Sequence, residues 1–415
     1  MNSFKELGVH PFFIERLKER GITEPTEIQK QIIPLAGIMS LFFHSPTGTG
    51  KTFAYALPIL GRFLGSPGQD LSSQDLIVSD KPAARNPQLL ICAPTYELCS
   101  QINEEVNFLL YKTAYKSSLF IGQVSLKRQI ETLKKDMPLA VTGNPGRLNL
   151  LLRMGKLKLN DLEYLVLDEG DRLVTDELLE ETSDLIKLIR QKTSSRNKQL
   201  FITSCSATLS KKSRERLMPL MGDNVKILNS QEDILKEKIE HWAFYCEERD
   251  KPDMLRSLFA ALRSCSDVPG EKYKKPKVLV FTSRGNAVGD IVSRLRHHKL
   301  NAAGLWGDMS NKSRRQAMDD FRSGRTRLLV TSDLAARGLD IPDISHIIAL
   351  DLAQDPDFYI HRAGRTARAG KSGIMITIGN DADMHRLAAM EKRLGIIVHP
   401  KELYMGKVRK PLQEN

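Results

Sequence analysis

A glycine-containing loop lies between an apolar run and a helical pattern. The segment SPTGTGKT, residues 45–52, follows LFFH and precedes FAYALPILGRFL. Where a strand leads through such a loop into a helix, backbone N–H groups turn inward around phosphate oxygens. Lys51 is then expected to reach the outer phosphates of a nucleotide, and Thr52 to hold a magnesium ion. Pro46 and Thr47 replace the first glycine position of the general pattern GxxxxGKT, so a chance turn is the competing interpretation.

Two carboxylates follow another apolar run. Asp168 and Glu169 stand at the end of YLVLDE, where a charge beside a buried strand is costly unless it has a use. In nucleoside triphosphatases, an aspartate in this position supports magnesium, and the adjacent glutamate orients or deprotonates the attacking water. The alternative interpretation is that these acids lie at a solvated strand end or helix start. The GTGKT loop in the same chain makes this alternative less favourable.

Arginines recur in the segment HRAGRTARAG, residues 361–370. The spacing of Arg365 and Arg368 predicts that both lie near the same side of one helical turn. There they could meet a γ-phosphate delivered by another domain. A surface cluster that only touches nucleic-acid phosphates is the competing interpretation.

Short apolar runs between helical patterns predict the elements that position these residues. The runs lie at 89–94, 139–143, 164–169, 199–208, 277–283, 327–333, 346–351 and 373–379. Strands that are apolar throughout belong in parallel sheets with helices on both faces, and ligands collect at their carboxyl ends. We therefore predict an α/β protein with two successive sheets.

The interruption of this rhythm predicts the domain organisation. We expect an ATP-binding domain at 1–230, a linker at 231–240, a second domain at 241–395 and a short basic tail at 396–415. The stretch 65–87, rich in Gly, Pro, Ser and Asp, predicts a long surface loop.

Composition limits the class of protein and of partner. The 415 residues carry a net charge of +12. If the basic residues cluster on the surface, this charge favours a polyanionic partner; if they are dispersed, it indicates only an ordinary basic surface. No apolar run approaches the length of a membrane span, and the first residues, MNSFKELGVH, do not read as a leader. Five cysteines without a CxxC pair indicate reduced thiols and no metal site. We expect a cytoplasmic protein with no membrane partner.

From Phe4 to about residue 380, the order of these motifs resembles the DEAD-box RNA helicase family. The resemblance implies two tandem RecA-like domains and the use of ATP with Mg²⁺. GITEPTEIQ resembles the adenine-reading motif of that family, with Gln29 reading the adenine edge and Phe4 stacking on the base.

The resemblance also assigns roles to individual residues. The catalytic residues would be Lys51, Asp168, Glu169, Arg365 and Arg368, with magnesium on Thr52 and Asp168. Further nucleotide contacts would come from Thr47, Gly48, Thr49, Gly50 and Asp340. RNA contacts would come from Pro94, Thr95, Gly122, Asn144, Pro145, Gly146, Arg147, Thr282, Ser283, Arg284, Ser332 and Arg337. Coupling between the domains would involve Asp171, Ser206, Thr208, His361 and Arg362.

The sequence departs from the family pattern at several positions, most of them on the RNA side. The departures are Tyr96, Gln123, Asn144, Gly170, Trp306 and Asn311. Gly170 turns the family's name motif into DEGD, which leaves both acids in place, and we expect activity to survive. The RNA-side changes make RNA affinity less secure than ATP chemistry.

The function that this resemblance implies is an RNA-dependent ATPase that locally separates RNA duplexes or remodels RNA–protein complexes. RNA would be bound largely without reading sequence, by a monomer whose domains close on ATP and RNA together. A catalytically weak RNA clamp or assembly scaffold is one alternative, and a DNA-directed helicase is another. Choice of RNA is left to protein partners, to the 65–87 loop or to no mechanism at all.

Overall fold

The predicted apolar runs become strands of two sheets in a computed structural model of the chain. The structure describes residues 3–45, 49–64, 86–122, 124–193, 199–206, 210–229, 237–264, 276–307, 309–336, 341, 343–353, 355–367 and 371–411. Contacts between residues divide the chain into two units, Met1–Gln231 and Glu232–Asn415. Each unit contains one sheet.

The first unit has a seven-stranded parallel sheet in the order β3-β4-β2-β5-β6-β1-β7. Its strands are β1 Ser40–His44, β2 Leu89–Cys92, β3 Ser117–Phe120, β4 Ala140–Gly143, β5 Tyr164–Asp168, β6 Phe201–Ser206 and β7 Val225–Asn229. Strands β2, β4 and β5 are buried along their whole length. This is the burial expected where helices cover both faces of a parallel sheet.

The helices of the first unit follow or precede these strands. They are α1 Pro11–Glu19, α2 Glu27–Ile32, α3 Lys51–Gly61, α4 Tyr96–Leu110, α5 Leu126–Asp136, α6 Pro145–Arg153, α7 Gly170–Leu173, α8 Leu179–Thr193 and α9 Lys211–Met221. Two large apolar clusters result. One contains Phe43 and Tyr55, and the other contains Phe42 and Leu165.

The second unit has an eight-stranded sheet in the order β10-β11-β9-β12-β13-β8-β14-β15. Its strands are β8 Ile239–Tyr245, β9 Val278–Thr282, β10 Ala302–Leu305, β11 Leu328–Ser332, β12 His346–Ala349, β13 Gly373–Gly379, β14 Val398–Tyr404 and β15 Lys407–Arg409. All neighbours pair in parallel except β14 and β15, which form an antiparallel hairpin.

The helices of the second unit complete the same architecture. They are α10 Lys251–Ser264, α11 Ala287–His297, α12 Asn311–Arg322, α13 Asp333–Ala336, α14 Pro356–Ala363 and α15 Asp381–Leu394, with a 3₁₀ turn at Glu248–Asp250. The predicted fold class is confirmed, because each sheet is mainly parallel and alternates with helices. Among the described helices, none has the length and apolar character that a membrane crossing needs.

Strands at or near the sheet edges were missed by the sequence analysis. Each of the eight apolar runs at 89–94 to 373–379 contains a strand, but β3, β7 and β10 lie at edges and carry the less apolar sequences SSLF, VKILN and AAGL. The described residues of β7 are half-buried or exposed, whereas β3 and β10 are largely buried. Both β3 and β10 are short and are built partly from small or polar residues, so neither forms a conspicuous apolar run. The loop predicted at 65–87 lies almost wholly outside the described residues.

Two of the expected boundaries need correction. The range 231–240 was expected to be a linker, yet β8 begins at Ile239, where buried Ile239 and His241 alternate with exposed Glu240. The range 396–415 was expected to be a short basic tail, yet β14 pairs with β8 and β15 pairs with β14. Charged residues on one face hid the strand pattern there. The remaining domain boundaries stay a prediction.

A buried histidine makes the stability of the second unit depend on pH. His346 begins β12, and its Nδ1 lies 2.8 Å from Ser345 Oγ. Burial lowers the pKa of His346 from 6.5 to about 4. The folded state favours the neutral ring, so protonation of His346 lowers the free energy of unfolding. This contribution to stability is complete above pH 6.5 and is lost as the pH falls towards 4.

We predict that His346→Gln removes this part of the pH dependence. The loss of unfolding free energy between pH 7 and pH 5 should shrink by about 2 kcal/mol. Urea unfolding of the intact chain at the two pH values measures it. His298→Gln, at an exposed histidine, is the matched control and should behave as the unaltered protein. An equal acid loss in both variants would exclude His346 as the cause.

Candidate active site

The phosphate loop begins after β1, and its described part is held by short hydrogen bonds. Lys51 is the first residue of α3, and its buried Nζ donates to the carbonyl of Ser45 at 2.8 Å. Ser45 Oγ and Thr49 Oγ1 are 2.6 Å apart. The Ser45 N–H also donates to the carbonyl of Ser206 at 2.9 Å, which ties the start of the loop to the end of β6. Pro46, Thr47 and Gly48 lie outside the described residues.

Gly50 is required at the entry to α3 for two reasons. Its φ of +86° is in the left-handed region that favours glycine. A Cβ there would also lie 2.4 Å from Gln29 Nε2. Gln29 Nε2 donates instead to the Gly50 carbonyl at 3.1 Å, and Thr26 Oγ1 donates to the Thr49 carbonyl at 2.8 Å. The adenine-motif residues and the phosphate loop therefore form one hydrogen-bonded assembly.

The predicted adenine-contacting residues are buried. Gln29 forms a capping box with Thr26 at the start of α2, in which Gln29 Oε1 accepts from the Thr26 N–H at 3.0 Å. Its amide retains one further donor and one further acceptor position. Phe4 lies in the apolar core of the first unit rather than on an open face. Stacking of Phe4 on a base stays a prediction.

Asp168 ends β5 and is enclosed by donors. Its Oδ2 accepts from the Tyr55 hydroxyl at 3.0 Å, and its Oδ1 accepts from the Glu169 N–H at 2.9 Å and from Cys205 Sγ at 3.1 Å. Tyr55 lies one helical turn beyond Lys51 on α3. Strand order places β5 and β1 on either side of β6, so Lys51 and Asp168 belong to the same carboxyl edge.

Burial controls the protonation of this cluster. It raises the pKa of Asp168, with the charge of Lys51 opposing the rise. Burial and the neighbouring Asp168 charge likewise raise the pKa of Tyr55 well above its ordinary value. A carboxylate held in this way is poorly solvated, and a cation beside it would stabilise its charged form. The oxygen donors of Asp168 and Thr52 therefore suit a magnesium ion.

Glu169 adopts a strained backbone conformation next to Asp168. Its φ of 51° and ψ of 52° are left-handed, which for a residue with a side chain costs about 1–3 kcal/mol. The residue is buried and precedes α7 directly. Strain of this kind persists where the surroundings fix it, and it is concentrated at functional sites.

The glycine at position 170, where the family has alanine, is explained by the side chains that surround it. A Cβ on Gly170 would lie 2.2 Å from Ser204 Oγ and 3.1 Å from Leu217 Cδ2. Ser204 Oγ donates to the Leu167 carbonyl at 3.1 Å and is fully buried. The serine hydroxyl on β6 thus occupies the space that the methyl group of an alanine in DEAD would fill.

Two predicted RNA-contacting segments of the first unit are helix starts. Thr95 caps α4 by accepting from the Leu98 N–H, and Asn144 caps α6 by accepting from the Arg147 N–H, each at 3.3 Å. Asparagine and threonine are both favoured helix caps, so Asn144 is suited to this position, where the family has threonine.

Arg147 contacts the protein itself. Its Nη2 donates to the Gly122 carbonyl at 2.8 Å, and its Nη1 donates to Gln129 Oε1 at 3.1 Å. Gln129 is buried and donates to the Ile121 carbonyl. Arg147 thus fixes the segment at 121–122 against α6, which is a positioning role beside its predicted contact with RNA.

In the second unit, Asp351 organises the predicted RNA-contacting turn after β9. Its Oδ2 accepts from Thr282 Oγ1 and from the Ser283 N–H, each at 2.8 Å. Buried Lys251 lies 3.7 Å from Asp351 Oδ1. Burial works to raise the pKa of Asp351, but these hydrogen bonds and the Lys251 charge hold that pKa below its ordinary value.

The arginine segment differs from the predicted helical turn. Helix α14 ends at Ala363 with Gly364 as its cap, so Arg365 lies in the turn that follows and not on the helix. Arg362 is buried and forms a bidentate pair with Asp333, with its Nε 2.7 Å from Oδ1 and its Nη2 2.6 Å from Oδ2. Arg365 therefore does not have the expected helical position, because α14 ends two residues before it.

The other predicted residues fall into three groups. The buried ones are Asp171, Ser206, Ser332, His361 and Pro145. The described loops and helix starts contain Pro94, Gly122, Gly146 and Arg284. Thr208, Arg337, Asp340 and Arg368 lie outside the described residues, as does Gln123. Their roles stay predictions.

Several site residues were missed from sequence. Tyr55, Ser204 and Cys205 contact the carboxylate motif only through long-range packing, although Tyr55 follows Lys51 by one helical turn. Asp351 directly follows the apolar run of β12, just as Asp168 follows that of β5. The same signal of a carboxylate after a buried strand would have found it.

Comparison with known proteins decides the family. Residues 26–217 match the family described as DEAD/DEAH box helicase, and residues 250–370 match the helicase conserved C-terminal domain. The chain is 33% identical over 400 residues to the DEAD-box ATP-dependent RNA helicase CshC of Bacillus cereus, covering 96% of this chain and 93% of that protein. The chain belongs to the DEAD-box helicase family.

Other DEAD-box relatives extend over the same length. The probable ATP-dependent RNA helicase YfmL of Bacillus subtilis is 31% identical, and the alignment covers 96% of this chain and 96% of that protein. The structure of S. cerevisiae Dbp5 bound to RNA and ADP BeF3 superposes with a TM-score of 0.78 at 25% identity, covering 96% of each chain. The two sheets are thus tandem RecA-like domains of a DEAD-box protein.

We predict that Gly170→Ala lowers the unfolding free energy of the first unit by about 1–3 kcal/mol, because the new methyl group displaces Ser204 Oγ. Adding Ser204→Ala should recover most of this loss, since the space is then free. Urea unfolding of both single variants and the double variant gives the coupling energy. Strictly additive losses would show that the two positions do not compete for space.

Proposed function

We propose that this DEAD-box protein is an RNA-stimulated ATPase that locally separates RNA duplexes or remodels RNA–protein complexes. One observation carries the proposal: Lys51, Asp168 and the strained Glu169 stand at one carboxyl edge of a parallel sheet. Ligands of open α/β sheets collect at this edge. The relatives named as ATP-dependent RNA helicases supply the substrate class.

ATP is proposed to bind the first unit. The free donor and acceptor positions of Gln29 would recognise the adenine edge, and Lys51 with the amides of Thr49 and Gly50 would hold phosphate oxygens. Thr47 and Gly48 would complete the loop. The hydrogen bonds from Thr26 and Gln29 to the loop carbonyls support a shared site for base and phosphates.

Thr52 and Asp168 are proposed to hold Mg²⁺. When bound with ATP, the ion supplies charge neutralisation at the phosphate oxygens. Tyr55 and the Glu169 N–H keep the Asp168 carboxylate in one orientation. Glu169 would orient the attacking water and accept its proton, a role supported by its burial next to Asp168 at the same strand end.

The second unit is proposed to complete the site. Arg365 and Arg368 would approach the γ-phosphate when the two domains close, and Asp340 would contact the ribose. Support comes from the fixed neighbourhood of Arg365: its N–H donates to the Arg362 carbonyl at 3.1 Å, and Arg362 is held by Asp333. Hydrolysis would therefore depend on closure.

RNA is proposed to bind along both units and to favour the same closed state. The capped starts of α4 and α6 offer backbone N–H groups to phosphates, and the Asp351-fixed turn at Thr282–Arg284 offers the exposed Arg284 side chain in the second unit. Such contacts do not read bases. Linkage then requires ATP and RNA to strengthen each other's binding by equal factors.

We predict that Glu169→Gln binds ATP and RNA normally but loses at least a hundredfold in turnover, because the amide cannot accept the water's proton. Steady-state phosphate release and fluorescence binding measure the two properties. Exposed Glu177→Gln is the control and should leave both unchanged. Unaltered hydrolysis by Glu169→Gln would remove Glu169 from this role.

We further predict that Arg365→Ala slows RNA-stimulated hydrolysis about a thousandfold while nucleotide affinity changes little, because the arginine acts on transition-state charge. Arg393→Ala, on the exposed face of α15, is the control. Single-turnover hydrolysis and nucleotide titration separate the effects. Parallel loss of binding and rate would indicate a ground-state contact only.

RNA-independent hydrolysis in the parent protein would contradict the proposed function.

A further inference from the structure

The hairpin of β14 and β15 extends the second sheet and presents an exposed surface. On one face, Leu403 and Val408 pack against the apolar cluster that contains Phe244 and Leu255, which anchors the hairpin. The opposite face carries the side chains of the paired residues Tyr404 with Lys407 and Glu402 with Arg409. The hairpin is therefore rigidly attached on one side and open on the other.

The open face combines aromatic and cationic groups. The Arg409 guanidinium lies 3.6 Å from the centroid of the Tyr404 ring, and its Nε is 2.6 Å from Glu402 Oε1. Tyr404 is 47% exposed, so one side of its ring remains available for stacking. Lys407 belongs to this face, and Lys410 directly follows β15; both are exposed, and neither makes an ion pair with any residue in the described ranges.

The tip of the hairpin is an exposed methionine in an unfavourable conformation. Met405 and Gly406 have φ values of 48° and 72°, the signs of a type I′ turn, in which Asn-Gly is strongly preferred. Met405 is 85% exposed. The two-residue turn imposes the left-handed conformation, and it leaves an apolar side chain exposed where a ligand could contact it.

Charge limits where a polyanion could lie on this sheet. Residues 396–411 contain Lys401, Lys407, Arg409 and Lys410 but only one acid, Glu402. Further along the same face, the Tyr245 hydroxyl donates to Glu247, and the charge of Asp381 is nearby. The favourable surface is therefore the outer hairpin, which we call the hairpin surface: Tyr404, Met405, Lys407, Arg409 and Lys410.

We propose that the hairpin surface is an accessory binding site for single-stranded RNA. A base would stack on the side of the Tyr404 ring opposite Arg409 and contact Met405, while Lys407 and Lys410 would meet the backbone phosphates. Exposed aromatics on a sheet with neighbouring cations bind single strands without reading sequence. This proposal rests on the proposed function. The hairpin surface would bind the part of a long RNA strand that continues past the RNA contacts proposed above.

The test compares RNA lengths in the intact protein. Single-stranded RNAs of about ten and about thirty nucleotides are titrated by fluorescence anisotropy with a non-hydrolysable ATP analogue present. In the parent, the longer strand should bind more tightly. In Lys407→Gln/Lys410→Gln, the ratio of the two affinities should fall about tenfold, and the salt slope for the long strand should fall by about 1.4. Lys187→Gln/Lys192→Gln, at exposed lysines of α8, is the matched control.

Two further variants separate binding from folding. Tyr404→Ala should lower the ratio about tenfold through lost stacking. Met405→Asn introduces the preferred turn residue, so the hairpin should be at least as stable while the ratio still falls. A ratio that stays at the parent value in all hairpin variants overturns the proposal. The two proposals can fail separately. If RNA does not stimulate hydrolysis but the affinity ratio still falls in the hairpin variants, the proposed function is refuted and the hairpin site is retained.

Discussion

Burial of the Asp168 carboxylate is the constraint on which the site of the first unit depends. An ionised carboxylate loses hydration when it is enclosed, and it is tolerated only where donors replace the lost water. Tyr55, Cys205 and the Glu169 N–H fill that role. They come from three separate segments, so the carboxylate can be held only after the sheet and α3 have assembled. Fold and chemistry are therefore specified together.

The second unit repeats this principle with different partners. Asp351 ends the run that begins with β12, and Asp333 follows β11, so both stand where parallel strands end. Donors from Thr282 and Ser283 enclose the first, and Arg362 encloses the second. Carboxylates at strand ends thus act as fixed points from which the neighbouring turns take their shape.

Sequence was sufficient for the central strands and for motifs whose residues are adjacent in the chain. It was insufficient at the sheet edges, where β3 and β10 are short and contain small or polar residues, and in the hairpin, whose charged face masked the strand period. It also placed Arg365 on a helix, because residue spacing alone does not show that the helix ends at Ala363. Contacts such as Ser204 against Gly170 join residues far apart in the chain, and only packing reveals them.

The hydrogen bonds from Thr26 and Gln29 to the carbonyls of Thr49 and Gly50 join the adenine motif to the end of the phosphate loop within the fold itself. Folding therefore removes part of the conformational entropy of this loop that nucleotide binding would otherwise have to remove. Substitutions at the adenine motif should consequently alter affinity for inorganic triphosphate, a ligand that has no base at all.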